Sequence, residues 1–298
     1  MEVLCPVCKN ILYKEAKTYK CINGHSYDIA KQGYLNINMK SSESTGDNPT
    51  MINARRDFLN KGYYDFLRQS VDSLIDENDS LIDLACGEGY YTSFFKAKDK
   101  VGVDLSKQGL KIASKNDPNT LYLLNSIFHN HLKDECADKV ITIFAPIAKE
   151  EIVRLLKKDG KFILVRPDEK HLYELKEVLY DNPYLNEVED IVIDNLVLDK
   201  QIKINKEFTI NKEDINNLFM MTPYYNTTSP KDKEKLNDLE ELKITFAFII
   251  DVFKKWCYAS FFFVLVFAWT NPIIFVANGI GKCLWIKIRS LNARPSTS

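Results

Sequence analysis

The chain has 298 residues, more than one domain usually holds, so a large domain with an accessory module is expected. It is 45% apolar and 27% charged, as in a globular protein with a sizeable core. A formal net charge of −1 excludes a global basic field for nucleic acid, although a basic patch on one face would not show in the sum. The cysteines are Cys5, Cys8, Cys21, Cys86, Cys136, Cys257 and Cys283. Their odd number, the clustered first trio and the absence of a signal-peptide pattern argue against a disulfide framework. A reducing cytoplasm is the expected compartment.

Residues 1–40 read as a zinc-binding module. Cys5 and Cys8 bracket a knuckle turn stiffened by Pro6, and Cys21 and His25 form a second pair with Gly24 before the histidine. Three thiolates and an imidazole make a closed tetrahedral set, which suits a structural zinc and leaves no position for a catalytic water. Metal binding would supply the free energy that so short a piece lacks. A short hairpin is expected between Ile11 and Tyr19, and a strand over Gly33–Ile37. Lys9, Lys14, Lys17 and Lys20 are candidate contacts to an RNA backbone or a plain solvated face.

Residues 41–80 read as a linker and a helical lead-in. The stretch 40–49 is polar and loop-like, and Met51–Leu59 is helical, capped by Asn48 or Thr50. Arg55 and Arg56 could face phosphate, a carboxylate or solvent. Phe66–Leu74 continues as an amphipathic helix.

Residues 81–256 carry the chemistry. An apolar strand, 81–85, ends in a turn with glycine at alternate positions, Gly87-Glu88-Gly89, and a helix is expected over 91–98. Strand, tight turn and helix form the layout of a nucleotide-cofactor site in an open α/β sheet, with the ligand beyond the carboxyl ends of the strands. A dinucleotide fingerprint would need a third glycine where Thr92 stands, and no Gly-Lys-Ser/Thr follows. Asp83 would repel a pyrophosphate, whereas the cationic, amino-acid-tailed S-adenosylmethionine suits it. A second strand, 100–104, ends in Asp104, which could accept hydrogen bonds from ribose hydroxyls. Ser106 caps a helix over 106–115, a third strand covers 121–124, and His129 and His131 in the loop after it read as surface residues. Strands follow at 138–144 and 162–165 around a helix at 149–156, which gives a parallel, doubly wound sheet. Phe144-Ala145-Pro146, at a strand end beside the cofactor crevice, could position a target base, with Phe144 stacking on it. Another helix opens at Pro167, strand-like segments cover 191–194 and 201–204, Asn211 is a plausible helix cap, and a last strand spans 243–251.

With the knuckle at 5–25, D-L-A-C-G-E-G-Y-Y-T at 83–92, F-A-P at 144–146, H-L-Y-E-L-K at 171–176 and M-T-P at 221–223, residues 3–256 resemble the RlmA family. These are bacterial methyltransferases that modify guanine N1 in a hairpin of 23S ribosomal RNA. The resemblance implies a Rossmann-like class I S-adenosylmethionine-dependent methyltransferase fold with structural zinc on Cys5, Cys8, Cys21 and His25. It implies cofactor contacts from Tyr64, Gly87, Glu88, Asp104 and His171, beside Asp83 and Gly89 of the turn. The catalytic base is left unnamed, since the sequence offers no convincing dyad. The family's Gly-Cys before the turn is Ala85-Cys86 here, a mild change. One branch of the family is linked to macrolide resistance, and the excess of Lys over Arg, a sign of AT-rich coding, points to that branch. A homodimer is one form of assembly to expect. Two other functions stay open: a small-molecule methyltransferase on the same fold, and a zinc RNA-binding protein without catalysis.

Residues 257–298 break the composition. No charge occurs from Cys257 to Gly281, and by length this passes as a membrane-spanning candidate. An anchor, a buried core segment and non-native sequence are the three readings; only the first would bring a membrane as partner.

Overall fold

The computed structural model describes residues 1–39, 49–255, 264–266, 273–277 and 283–286. Met1–Trp256 form one compact unit and Cys257–Ser298 another.

The first unit is built on an eight-stranded sheet, fed by chain segments whose apolar residues alternate. The knuckle holds a small antiparallel sheet of β1 (Tyr13–Glu15), β2 (Thr18–Lys20) and β3 (Ser26–Asp28), the expected hairpin with one strand added. Then follow β4 (Leu35–Asn36), α1 (Pro49–Leu59), α2 (Asp65–Asp72), β5 (Ser80–Leu84), β6 (Asp99–Asp104), α3 (Lys107–Asn116), β7 (Leu121–Leu124), β8 (Ala137–Ile143), α4 (Lys149–Leu155) and β9 (Leu156–Pro167). The chain continues through α5 (Tyr173–Leu179), β10 (Leu196–Asn211), α6 (Lys212–Met221), α7 (Tyr224–Thr227), α8 (Pro230–Glu234) and β11 (Glu241–Lys255). The sheet order is β10-β11-β9-β8-β5-β6-β7-β4. Pairing is parallel from β4 to β9, while β11 runs antiparallel to both β9 and β10.

The period of two decides which face each residue serves. Ile163 and Val165 pack with Phe58, Leu67, Val71, Leu175 and Phe246 on the face covered by α1, α2, α5 and α6. Phe162 and Leu164 point the other way, into a cluster with Ile152, Leu155 and the module's Val3, Cys5, Leu12 and Cys21. The zinc module is therefore welded to the sheet. Val3, Leu12, Leu35 and Ile37 are nearly fully buried, at roughly 1.5–3 kcal/mol each. The exposed Glu2–Lys133 pair across the same junction is screened by solvent, so the apolar seam sets the attachment.

Several expected elements differ. Residues 91–98 are turns rather than a helix. A single helical bond, Ser93 N–H to Gly89 O, forms, and the Lys100 ammonium then takes the carbonyls of Thr92 and Phe95 that a longer helix would have used. Ile191–Asp194 is no strand. Ile193 is buried against the sheet, but the Lys149 ammonium takes the Val192 carbonyl in place of a neighbouring strand. Thr50 lies inside α1 and does not cap it, and Asn48 lies outside the described residues. Ser106 and Asn211 do cap α3 and α6, accepting from the N–H groups of Gly109 and Asp214. His131 is half-buried rather than a plain surface residue.

The second unit contributes a three-stranded antiparallel sheet, β12 (Val264–Val266), β13 (Ile273–Ala277) and β14 (Cys283–Ile286). Within the uncharged stretch the described residues are thus strands, and the rest of that expectation lies outside the described residues. No helix among the described residues is long and apolar enough to cross a membrane.

Candidate active site

A cavity of about 1090 Å³ opens at the carboxyl ends of β5, β6, β8 and β9, closed on one side by α1 and on another by the segment after α6. Tyr64, Asp83, Gly87, Glu88, Asp104 and His171 line it, as do Phe144, Ala145 and Pro146. Gly89 does not: its missing side chain makes room for the fold, since a Cβ there would meet the Tyr122 hydroxyl at 2.8 Å and the Ala113 Cβ at 2.9 Å. Three of its lining residues, Ala85, Phe144 and Leu172, hold positive φ angles of 66°, 54° and 57°. Strain of this kind costs of order 1–3 kcal/mol per residue and clusters where a site must be shaped.

Asp104 organises the cofactor side. One carboxylate oxygen accepts from the Gly87 N–H at 2.7 Å and the other from the Ser106 N–H at 2.6 Å. Each oxygen keeps a further lone pair for a ligand hydroxyl. Burial raises the Asp104 carboxyl, against the pull of those N–H groups and of Arg55. Arg55 itself lines the cavity and, with Arg56, also favours ionised Glu88, against the burial that raises it.

Asp83 is buried, accepts from the Thr92 hydroxyl at 2.5 Å, and is pushed up to about 7 by burial, with Asp104 adding to the rise. His171 is also buried. Its Nδ1 accepts from the Ala247 N–H at 3.2 Å, and burial, with Lys176 nearby, holds the imidazole down to about 3. The ring is therefore neutral, with its hydrogen on Nε2. Glu88 Oε2 and the Tyr91 hydroxyl are buried without a partner among the described residues, and both residues line the cavity. Orphaned polar atoms in an apolar-walled cleft, beside a carboxylate with spare lone pairs, fit a ligand carrying hydroxyls and an ammonium group. S-adenosylmethionine is such a ligand.

Reasoning from the sequence missed Asn186. It lines the cavity and holds its far wall: Oδ1 accepts from Lys176 Nζ at 2.7 Å and from the Tyr224 hydroxyl at 3.2 Å, and Nδ2 donates to the carbonyls of Asp168 and His171 at 3.0 Å. No local pattern marks it, because it sits in an irregular stretch. Arg166 was missed too; its Nε donates at 2.8 Å to the buried Asp251, which Gln201 also holds. A charged residue ending an apolar strand was the available signal.

Away from the cavity, the ligand atoms of Cys5, Cys8, Cys21 and His25 all lie within 4.8 Å of one another. Cys5 Sγ and Cys21 Sγ are 3.6 and 3.3 Å from His25 Nδ1, and Cys8 Sγ is 3.6 Å from Cys21 Sγ. These are close to the edges of a tetrahedron with zinc–sulfur bonds of about 2.3 Å, so the set fits the ion. Hydrogen bonds from the Asn10 backbone and side chain pull the Cys8 thiol down to about 6, toward the thiolate that zinc needs.

Residues 75–241 match the family described as "Methyltransferase domain". The chain belongs to that family. Residues 3–42 match the family described as "RlmA, N-terminal", a zinc ribbon. The enzyme is a methyltransferase with S-adenosylmethionine as methyl donor and a structural zinc in its ribbon. Among curated relatives, YxjB of Bacillus subtilis (strain 168), provisionally named a 23S rRNA (guanine-N(1)-)-methyltransferase, is 28% identical over 80% of this chain and 91% of its own. The 23S rRNA (guanine(748)-N(1))-methyltransferase of Streptomyces fradiae is 27% identical over 59% of this chain and 66% of its own. Among solved structures, the YcgJ protein of Bacillus subtilis aligns over 64% of this chain and 98% of its own, at 15% identity and a TM-score of 0.41.

Proposed function

We propose that this methyltransferase modifies guanine N1 in a hairpin of 23S ribosomal RNA, in the cytoplasm. The observation that carries the reading is the union of two parts: a zinc ribbon welded to the edge of the sheet, and a wide cavity whose mouth presents the half-exposed Phe144 on a strained backbone. A small substrate needs no second gripping module; a base drawn from an RNA loop needs a flat aromatic to stack on. The relatives' names point the same way.

S-adenosylmethionine supplies an electrophilic methyl group when bound. Tyr64, Gly87, Glu88, Asp104 and His171 would hold it, with Asp83 beneath. Phe144, Ala145 and Pro146 would present the guanine, and alignment of nucleophile and methyl supplies much of the barrier lowering. Guanine N1 loses a proton as it attacks. His171 does not take that proton, because Nδ1 is engaged and Nε2 already carries hydrogen. His171 instead donates from Nε2 and fixes the orientation of what lies against it. A homodimer belongs to the same proposal.

Transfer of labelled methyl from S-adenosylmethionine to unmodified large-subunit RNA, mapped by primer-extension arrest, tests this. One stop at a hairpin guanine is expected, and it also names the branch. Label appearing only on small molecules would overturn the reading.

A further inference from the structure

The seam between ribbon and core holds a second pocket, of about 370 Å³, lined by Leu4 and Lys9 on the ribbon side and by residues 129–132, Asp134, Glu151 and Arg154 on the core side. Asn130, only 8% exposed, lines it. Its Oδ1 accepts from the Leu132 N–H and from Arg154 Nη2, both at 3.1 Å, which fixes the orientation of the amide. Nδ2 is buried and has no partner among the described residues. That leaves a donor without an acceptor, a state that folded proteins rarely keep.

The neighbours are donors as well. His131 Nδ1 accepts from Asn125 Nδ2 at 2.9 Å, and burial holds the ring below its ordinary pKa, so the neutral imidazole carries its hydrogen on Nε2. Lys9 makes no ion pair among the described residues and lies close enough to His131 to add to that lowering. Both carboxylates face Arg154, Glu151 through two oxygens and Asp134 through one, at 2.7 Å. Glu151 also accepts from the Asn130 N–H. The charges of the lining balance, Lys9 and Arg154 against Asp134 and Glu151, so the pocket offers hydrogens and the Lys9 ammonium to an acceptor-rich group of low charge.

We propose that this seam pocket binds one phosphodiester of the RNA substrate, held by Lys9, Asn130 Nδ2 and His131 Nε2. The assignment rests on the ribosomal RNA reading above. Phosphate contacts set register rather than sequence. A phosphate gripped jointly by ribbon and core would set the strand's position relative to the cofactor cavity.

The test is binding of a 23S hairpin transcript across a salt series by wild-type protein, Lys9→Gln and Asn130→Asp. Asn130→Asp keeps the acceptor toward Leu132 and Arg154 and turns an oxygen to the phosphate; it is expected to weaken RNA binding tenfold or more. Lys9→Gln is expected to weaken it and to lower the slope of log K against log salt by about 0.7–0.9. S-adenosylmethionine affinity should stay unchanged in both, which separates a binding role from damage to the fold. Hairpin binding within twofold of wild type, with the wild-type slope, in both variants overturns the proposal. A second arm follows the Asn130 side-chain amide by NMR as inorganic phosphate is added. A wild-type chain that methylates no RNA rejects the substrate reading itself; an Asn130 amide shift with phosphate in that case marks a free-phosphate site only and overturns the RNA assignment.

Discussion

Gly109 packs directly on Gly87. A Cβ on Gly109 would lie 2.8 Å from the carbonyl carbon and oxygen of Gly87, backbone atoms that cannot swing away. The first turn of α3 thereby presses the Gly-rich turn against Asp104. Gly109→Ala should push that turn outward. Overpacking of this kind costs about 1–3 kcal/mol, so a lower melting temperature and a loss of S-adenosylmethionine affinity of about tenfold are expected. Calorimetry on the variant checks this; wild-type affinity would show that the contact does not shape the site.

Asp83 links cofactor binding to pH. Its folded pKa, about 7, lies above the ordinary carboxylate value. Its contribution to stability is therefore present in full below about pH 4, declines as pH rises from about 4 to 7, and is gone above, at about 1.4 kcal/mol per unit. Asp83→Asn cannot ionise and should lose this dependence. The difference in melting temperature between variant and wild type, followed from pH 4.5 to 8 without cofactor, should grow in the variant's favour toward pH 7 and then level. A cationic cofactor favours the ionised form, so wild-type affinity should rise through the same window while the variant's stays flat.

The sequence carried these relationships unevenly. Asp83, Asp104, the Ser106 cap and the zinc tetrad were legible because each stands in a short motif of its own: a strand end, a helix start or a paired knuckle. The stretch after Gly89 was misread because Tyr90, Tyr91, Phe94 and Phe95 imitate a helical face, while the residue that ends the helix, Lys100, sits on the next strand. Asn186 and Arg166 were invisible as site residues because their partners, Lys176, Tyr224 and Asp251, come from elements that only the fold brings together. At the seam pocket Lys9 was legible as a candidate RNA contact, but Asn130 and His131 were not, because only the fold brings them beside it.

Zinc should separate the two functions. The described lining of the cofactor cavity begins at Met51, so no described residue of the ribbon reaches it. Chelation, or Cys21→Ser, is expected to release one zinc per chain and to abolish RNA methylation. S-adenosylmethionine affinity should change by less than about threefold, because no described ribbon residue lines the cavity. Elemental analysis with calorimetry measures both; loss of cofactor binding along with the metal would place the ion in support of the cavity.

His171 opposes Asp83 in acid. Its folded pKa is depressed to about 3 by burial and by Lys176. The unfolded chain binds a proton near pH 6.5 and the folded chain does not, so this contribution to stability is present above about 6.5 and is lost as pH falls toward 3. The same burial removes His171 from the pH profile of the reaction. Nitrogen-15 NMR of histidine-labelled protein should show a neutral ring with hydrogen on Nε2 at pH 7, unchanged at pH 5, and kcat should carry no limb near 6.5 from this residue. A ring that protonates between pH 5 and 7 would mean that the Ala247 N–H does not hold Nδ1 in solution, and would leave Nδ1 free to accept the guanine proton.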